Sequence, residues 1–100
     1  MDLTKFLRAE KLDARLIELP DNFYPAMESE VNRLISEGAE IDEVLRLKAT
    51  IQRTKAIRIK KIIRAALADA VLSEPKHTKE HFQPKERAFY EAIIRGAKEI

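Results

Sequence analysis

The feature that most constrains the fold is a stretch of thirty-two residues, from Ile41 to Leu72, that contains neither glycine nor proline. Its apolar residues recur at 3.6 residues per turn, which predicts one long helix over about 41–72. The residues expected to share its packed face are Ile41, Val44, Leu45, Ile51, Ile59, Ile62, Ile63, Ala66 and Ala70. Such a helix is about 48 Å long, whereas a compact domain of this size is about 34 Å across. We therefore expect the helix to project and pack against a partner, the alternative being a kinked helix.

Three shorter helices are predicted around the long one. They cover 2–12, about Asn22 to Gly38, and Pro84 onward, with an apolar strap at 15–19 before the second and a polar loop at 73–83 before the fourth. Asp21 or Asn22 can cap the second helix, and Gly38 can end it in a left-handed conformation. Pro84 is favourable in the first turn of the fourth. The predicted fold class is all-α, a four-helix domain with one long central helix and no β domain.

Composition limits the chemistry and the compartment. The chain is 45% hydrophobic and 36% charged, which suffices for a packed core and a polar surface. It has no cysteine, which excludes disulfides and thiolate chemistry. Its N-terminal segment lacks the apolar region of a signal peptide, and no apolar run approaches the ~20 residues of a membrane helix. We therefore expect an intracellular protein with no membrane contact.

Charge is distributed unevenly along the chain. Residues 1–43 hold eleven acids and five bases, whereas residues 44–68 hold eight bases and no acid. At helical spacing, Arg46, Arg53, Lys60 and Arg64 form one stripe, and Lys48 and Lys55 interrupt the apolar face with Gln52 between them. We predict these six cations as an interface. Three interpretations stay open: ion pairs with the acidic first half, contact with a protein partner, and direct binding of nucleic acid.

Two aromatic pairs and one leucine are predicted as core anchors. Phe23-Tyr24 and Phe89-Tyr90 each lie in the first turns of a predicted helix, and Leu19 closes the apolar strap. Adjacent helical positions differ by 100°, so one ring of each pair faces the core and the other its margin.

One motif has the spacing of a metal site. His77-Thr-Lys-Glu80-His81 spells H-x-x-E-H, the order of an inverted zinc-protease motif, with Glu86 or Glu91 as a further ligand. It falls in the polar loop rather than in a long helix, and only nineteen residues follow it. We therefore predict chance occurrence, no enzyme activity, and no catalytic, cofactor-binding or metal-binding residues.

Three motifs in order resemble the helical A domain of GINS subunits. Leu19-Pro-Asp-Asn-Phe-Tyr24 is similar to the "ELPxxFY" start of that domain, and the basic segment Arg58–Leu67 resembles its central helix. Gln83-Pro-Lys-Glu-Arg-Ala-Phe-Tyr90 is similar to its "LTPEE…LY" final helix. The resemblance in the order and spacing of these motifs extends over nearly all of the chain.

The resemblance implies a non-enzymatic scaffold of DNA replication. GINS is a four-subunit assembly that joins the MCM helicase to a RecJ-like or Cdc-type companion in archaea and eukaryotes, so the implied partners are those proteins and other GINS subunits. Contact with DNA would be indirect or weak. The implied compartment is the archaeal cytoplasm and nucleoid or the eukaryotic nucleus. The family also has a small B domain, which is expected to be absent or cut away here, so that 1–100 is the A domain. The alternative function is a small basic helical module that binds nucleic acid directly.

Overall fold

The computed structural model describes residues 3–72 and 81–100 of the chain. Within these ranges the backbone forms four α-helices and no β-strand, which confirms the predicted all-α fold. The helices are α1 (Leu3–Leu12), α2 (Phe23–Ser36), α3 (Ile41–Leu72) and α4 (Pro84–Lys98). Most of the predicted loop at 73–83 lies outside the described residues.

The long helix α3 is the spine of the domain. Helices α1, α2 and α4 each pack against α3, and within the described ranges no two of these shorter helices pack backbone to backbone. The molecule is accordingly elongated, at 51 × 25 × 20 Å. Its radius of gyration is 15.7 Å, compared with about 13 Å for a compact domain of this length. Because the three shorter helices pack on one side of α3, the opposite side of α3 is left open.

The apolar core consists of two clusters placed along the spine. The first contains Leu3, Leu19, Phe23 and Met27, with Leu47 and Ile51 of α3 packed against it. The second contains Leu16, Ile62, Ala66 and Tyr90, with Phe82 and Ile93 packed against it. The strap between α1 and α2 therefore contributes one leucine to each cluster and ties the two ends of the core together.

The packed face of α3 agrees with the predicted one in part: Val44, Ile62 and Ala66 are buried as predicted, and Ile51, Ile59 and Ala70 are half-buried. The buried residues of α3 are Val44, Thr54, Arg58, Ile62, Ala66 and Asp69. Ile41 and Leu45 are instead 73% and 55% exposed, and Ile63 is also exposed. The apolar period predicted only part of the face because half of the buried positions are polar, and a pattern of apolar residues cannot identify them.

The predicted core anchors divide into three groups. Leu19, Phe23 and Tyr90 are buried, and Tyr24 is half-buried against the first cluster. Phe89 is 39% exposed, so it is the marginal ring of its pair, and its prediction as a core anchor is wrong. Tyr90 turns toward α3, so the adjacent Phe89 lies about 100° away around the axis of α4, at the edge of a groove.

Both ends of α2 are set by left-handed residues. Asn22 precedes the helix with φ 57°, and its side chain makes no capping hydrogen bond, contrary to expectation. A capping side chain normally sits on an extended backbone, which the left-handed Asn22 lacks. At the other end Gly38, with φ 75°, donates its N–H to the carbonyl of Ile35 as predicted for a glycine cap.

Candidate interaction surface and the charged cluster behind it

A charged cluster fills the middle of the spine, between the two apolar clusters. Its members are Glu10 of α1, Arg58 and Lys61 of α3, and Glu86 of α4. Two cations meet two carboxylates, so the formal charges balance. We refer to these four residues as the Arg58 cluster.

Arg58 is completely buried, and every N–H of its guanidinium has an acceptor. Nε and Nη2 donate to the two carboxylate oxygens of Glu86, at 2.8 and 2.7 Å. Nη1 donates to Glu10 Oε1 at 2.6 Å and to the carbonyl of Ile17 at 2.9 Å. Nη2 also donates to the carbonyl of His81 at 2.8 Å. One side chain therefore joins α1, the strap, α3 and the start of α4.

Lys61 completes the cluster one helical turn further along α3. Its ammonium group donates to the Glu10 carboxylate and to the backbone carbonyls of Glu10 and Arg15. The Glu10 carboxylate also accepts the N–H of Ile17. These bonds hold the end of α1 and the beginning of the strap against the spine.

The pKa values of Glu86 and Arg58 shift in the directions that keep both groups ionised. Burial by itself raises the pKa of Glu86, but hydrogen bonds from Arg58, Gln83 and Tyr24 and the charge of Arg58 bring that pKa below its ordinary value. Burial lowers the pKa of Arg58, and the hydrogen bonds and charges of Glu86 and Glu10 outweigh that effect. Burial and Glu86 together raise the pKa of the Tyr24 hydroxyl, so it remains a donor.

The start of α4 clamps the junction before α2. The side-chain oxygen of Gln83 accepts the N–H of Phe23 at 3.2 Å, and its side-chain nitrogen donates to the carbonyl of Pro20 at 3.1 Å. The hydroxyl of Tyr24 donates to Glu86 at 2.9 Å. The first and last of the three family-like motifs, sixty residues apart in the chain, are therefore in direct contact.

The six cations predicted as an interface all lie on the surface. They are Arg46, Lys48, Arg53, Lys55, Lys60 and Arg64, and each is exposed. Within the described residues their side chains form no ion pair and no hydrogen bond, and Lys55 alone has a partner, the Tyr24 ring at 6.0 Å. Ion pairing with the acidic first half therefore applies to Arg58 and Lys61 of the same basic run, and not to these six.

Sequence reasoning missed the Arg58 cluster as a functional element of the fold. Arg58 lies seven residues after Ile51 and four before Ile62, so it belongs to the face that those apolar residues define. That position is the signal that could have identified it. Its carboxylate partners lie 48 and 28 residues away, and no local pattern connects them.

A row of apolar positions runs along the exposed side of α3. At steps of three or four residues it contains Ile41, Leu45, Ala49, Gln52, Ala56, Ile59, Ile63 and Leu67. All are exposed except Ile59, which is half-buried, and all but Gln52 are apolar. We call this row the outer stripe. It shares the open side of the spine with the six cations.

A groove of about 520 Å³ adjoins the outer stripe at Ile59. It lies where the starts of α2 and α4 approach α3, and Tyr24, Pro25 and Phe89 line it. The exposed face of Phe89 is part of this lining, so the apolar surface extends from the spine onto α4.

The H-x-x-E-H motif, which we expect to be a chance occurrence, lies mostly outside the described residues. His77 and Glu80 lie outside the described residues. Glu86, a suggested further ligand, is bound to Arg58 and Tyr24. Across 3–72 and 81–100, no group of three or more His, Cys, Asp or Glu side chains could hold a metal ion.

None of the helices in these ranges combines the length and the apolar character of a membrane-spanning segment.

No protein-family model, curated protein or solved structure matches this chain. The likeness to GINS subunits therefore rests on its three short motifs. The first and last motifs are joined by the hydrogen bond between Phe23 and Gln83, and the middle motif contains Arg58 and Lys61.

Proposed function

We propose that this chain is a non-enzymatic scaffold subunit of the GINS type. In this role it bridges the replicative MCM helicase and its RecJ-like or Cdc-type partner, together with other GINS subunits. The observation that carries the proposal is the open side of α3, where the outer stripe lies beside six exposed cations that form no ion pair and no hydrogen bond within the described residues. A helix face that combines exposed apolar side chains with charge is typical of a protein interface.

The Arg58 cluster supports a role in which the chain presents surfaces. It fixes three helices and the strap through one fully bonded guanidinium, so the open side of α3 keeps its shape without a partner. The contact between the first and last family-like motifs adds support, because it gives both motifs one shared structural task.

The test is capture of partners on the tagged chain with nuclease present, followed by mass spectrometry. We expect recovery of GINS-like chains and helicase subunits. Arg53→Glu with Lys60→Glu should reduce that recovery at least tenfold while helix content by circular dichroism is unchanged. The matched control is Lys5→Glu with Arg8→Glu, the same charge change at exposed positions of α1. The control should bind like the wild type.

Two results would contradict the proposal. Equal losses in both double variants would mean that net charge rather than the α3 surface drives recovery. Recovery of nucleic acid alone, lost on nuclease treatment, would support the alternative of a basic helical module, whose DNA binding should fall steeply with salt.

A further inference from the structure

We infer that the open side of α3 binds an acidic amphipathic helix of a different protein, and that it does not pair with the α3 of a second copy. The inference rests on the proposed scaffold function and specifies the partner that this surface accepts. It follows from the order of apolar and charged residues around the helix.

The outer stripe has cations along both of its edges. On a helical projection Arg46, Arg53, Lys60 and Arg64 lie along one edge of the outer stripe, at about 60–100° from its centre. Lys48 and Lys55 lie along the other edge, at a similar angle. The pattern is that of a helix–helix seam, with an apolar centre and charged flanking positions.

The length of the outer stripe suits a helix as its occupant. From Ile41 to Leu67 it extends for about 39 Å, at 1.5 Å per residue. A partner helix of about twenty-six residues would cover it. The described apolar side chains left open include Leu45 and Leu67, at 55% and 49% exposure, so there is apolar area to bury at both ends.

Charge argues against a second copy packed α3 to α3. Residues 44–68 contain eight bases and no acid, and the inward pair Arg58 and Lys61 is already neutralised within the chain. The six remaining cations would face six more across a homotypic seam. Asp42 and Glu43 in the first turn of α3 reach only the ends of such a pair. Like charges at the flanking positions disfavour pairing of two α3 helices. A different chain with carboxylates at its flanking positions is favoured instead.

The outer stripe also argues against a phosphate backbone as the intended occupant. A polyanion neutralises the cations but leaves Leu45, Ile63 and Leu67 without an apolar partner. An amphipathic helix with acidic flanks satisfies the cations and the stripe together.

The probe is a pair of labelled 28-residue synthetic helices with the same Leu and Ile seam. One has Glu at the flanking positions and the other has Lys. Fluorescence anisotropy with the full chain should show at least tenfold tighter binding of the Glu-flanked helix. Leu45→Asp with Leu67→Asp, and separately Arg53→Glu with Lys60→Glu, should each weaken that binding at least tenfold. Lys5→Glu with Arg8→Glu should leave it unchanged.

Three outcomes would overturn the inference. The first is binding of the Glu-flanked helix that survives the two leucine substitutions in a variant of normal helix content, because attraction would then be electrostatic only. The second is preference for duplex DNA over the peptide in direct competition. The third is a dimer in light scattering of the chain alone that these leucine substitutions dissociate.

The test separates this inference from the proposed function. Recovery of helicase subunits without binding of the Glu-flanked helix would overturn the inference and leave the scaffold role. Binding of the probe without recovery of replication proteins would overturn the scaffold role and leave the inference about the surface of α3.

Discussion

The two sides of α3 put the same residue types to opposite uses. Arg58 faces inward, is fully buried and donates all of its hydrogen bonds within the chain. Lys60, two residues later, faces outward and has no partner among the described residues. The inward side matches each cation to a carboxylate of another element, whereas the outward side leaves six cations beside exposed apolar residues. The basic run at 44–68 therefore holds other elements against α3 on one side and forms an exposed surface on the other.

This difference shows why the fold tolerates charge in its centre. Desolvating a buried ion costs several kcal/mol, and only close pairing with hydrogen bonds throughout offsets that cost. The Arg58 cluster meets that condition, and no buried side-chain nitrogen or oxygen in the described ranges lacks a partner. The same chemistry connects elements that do not pack on each other directly.

The largest expected effect comes from breaking the inward side. Arg58→Leu leaves Glu86 buried without a cation and Glu10 paired with Lys61 alone, so the free energy of unfolding should fall by about 3–5 kcal/mol. Chemical denaturation followed by circular dichroism measures it. The matched control is Lys60→Leu, which should change stability by less than about 0.5 kcal/mol. Equal losses in the two variants would contradict the distinction between the two sides.

The two aromatic pairs offer a second contrast of inside and outside. Phe23 is fully buried in the first apolar cluster, so Phe23→Ala should cost about 3–5 kcal/mol. Phe89 is 39% exposed at the groove, so Phe89→Ala should cost only about 1 kcal/mol. Denaturant titration of both variants measures the two losses in free energy of unfolding. A loss below about 1 kcal/mol for Phe23→Ala would remove it from the core.

The sequence was sufficient for the elements of the fold and insufficient for the orientation of the spine. The absence of glycine and proline from Ile41 to Leu72 predicts the extent of α3, and Gly38 and Pro84 mark the neighbouring helix ends. Which cations of α3 turn inward depends on Glu10 and Glu86, which are remote in the chain. Long-range pairs of this kind leave no periodic signal, so the predicted face was displaced in part by the apolar residues of the outer stripe.

Helical spacing alone places Arg46, Arg53, Lys60 and Arg64 on one stripe, because positions on a single helix obey the period without help from distant residues. The role of the six cations as an interface stays a prediction. Their partners do not follow from the same rule. The choice between a protein helix and nucleic acid depends on the apolar stripe between the cations, which becomes visible only once α1, α2 and α4 are placed on the other side.

The smallest expected effect concerns the protonation of a single member of the Arg58 cluster. Hydrogen bonds and the charge of Arg58 hold the pKa of Glu86 below its ordinary value of 4.5. A lowered pKa contributes stability above the unfolded value, and that contribution is lost as the pH falls through the folded one. Protonated Glu86 leaves Arg58 its bonds to Glu10 and two carbonyls, so the loss is smaller than in Arg58→Leu.

The measurement compares the wild type with Glu86→Gln by denaturant titration between pH 7 and pH 3. The difference in free energy of unfolding should be largest at pH 7 and should narrow below about pH 4.5, because the wild type then loses the same charge. Glu91→Gln, at an exposed position of the same helix, should give a small difference at every pH. A difference for Glu86→Gln that is constant over this range would mean that the carboxylate contributes through its shape and neutral hydrogen bonds. The inward side of α3 would then be held by geometry more than by charge, and its contrast with the outward side would lose its electrostatic basis.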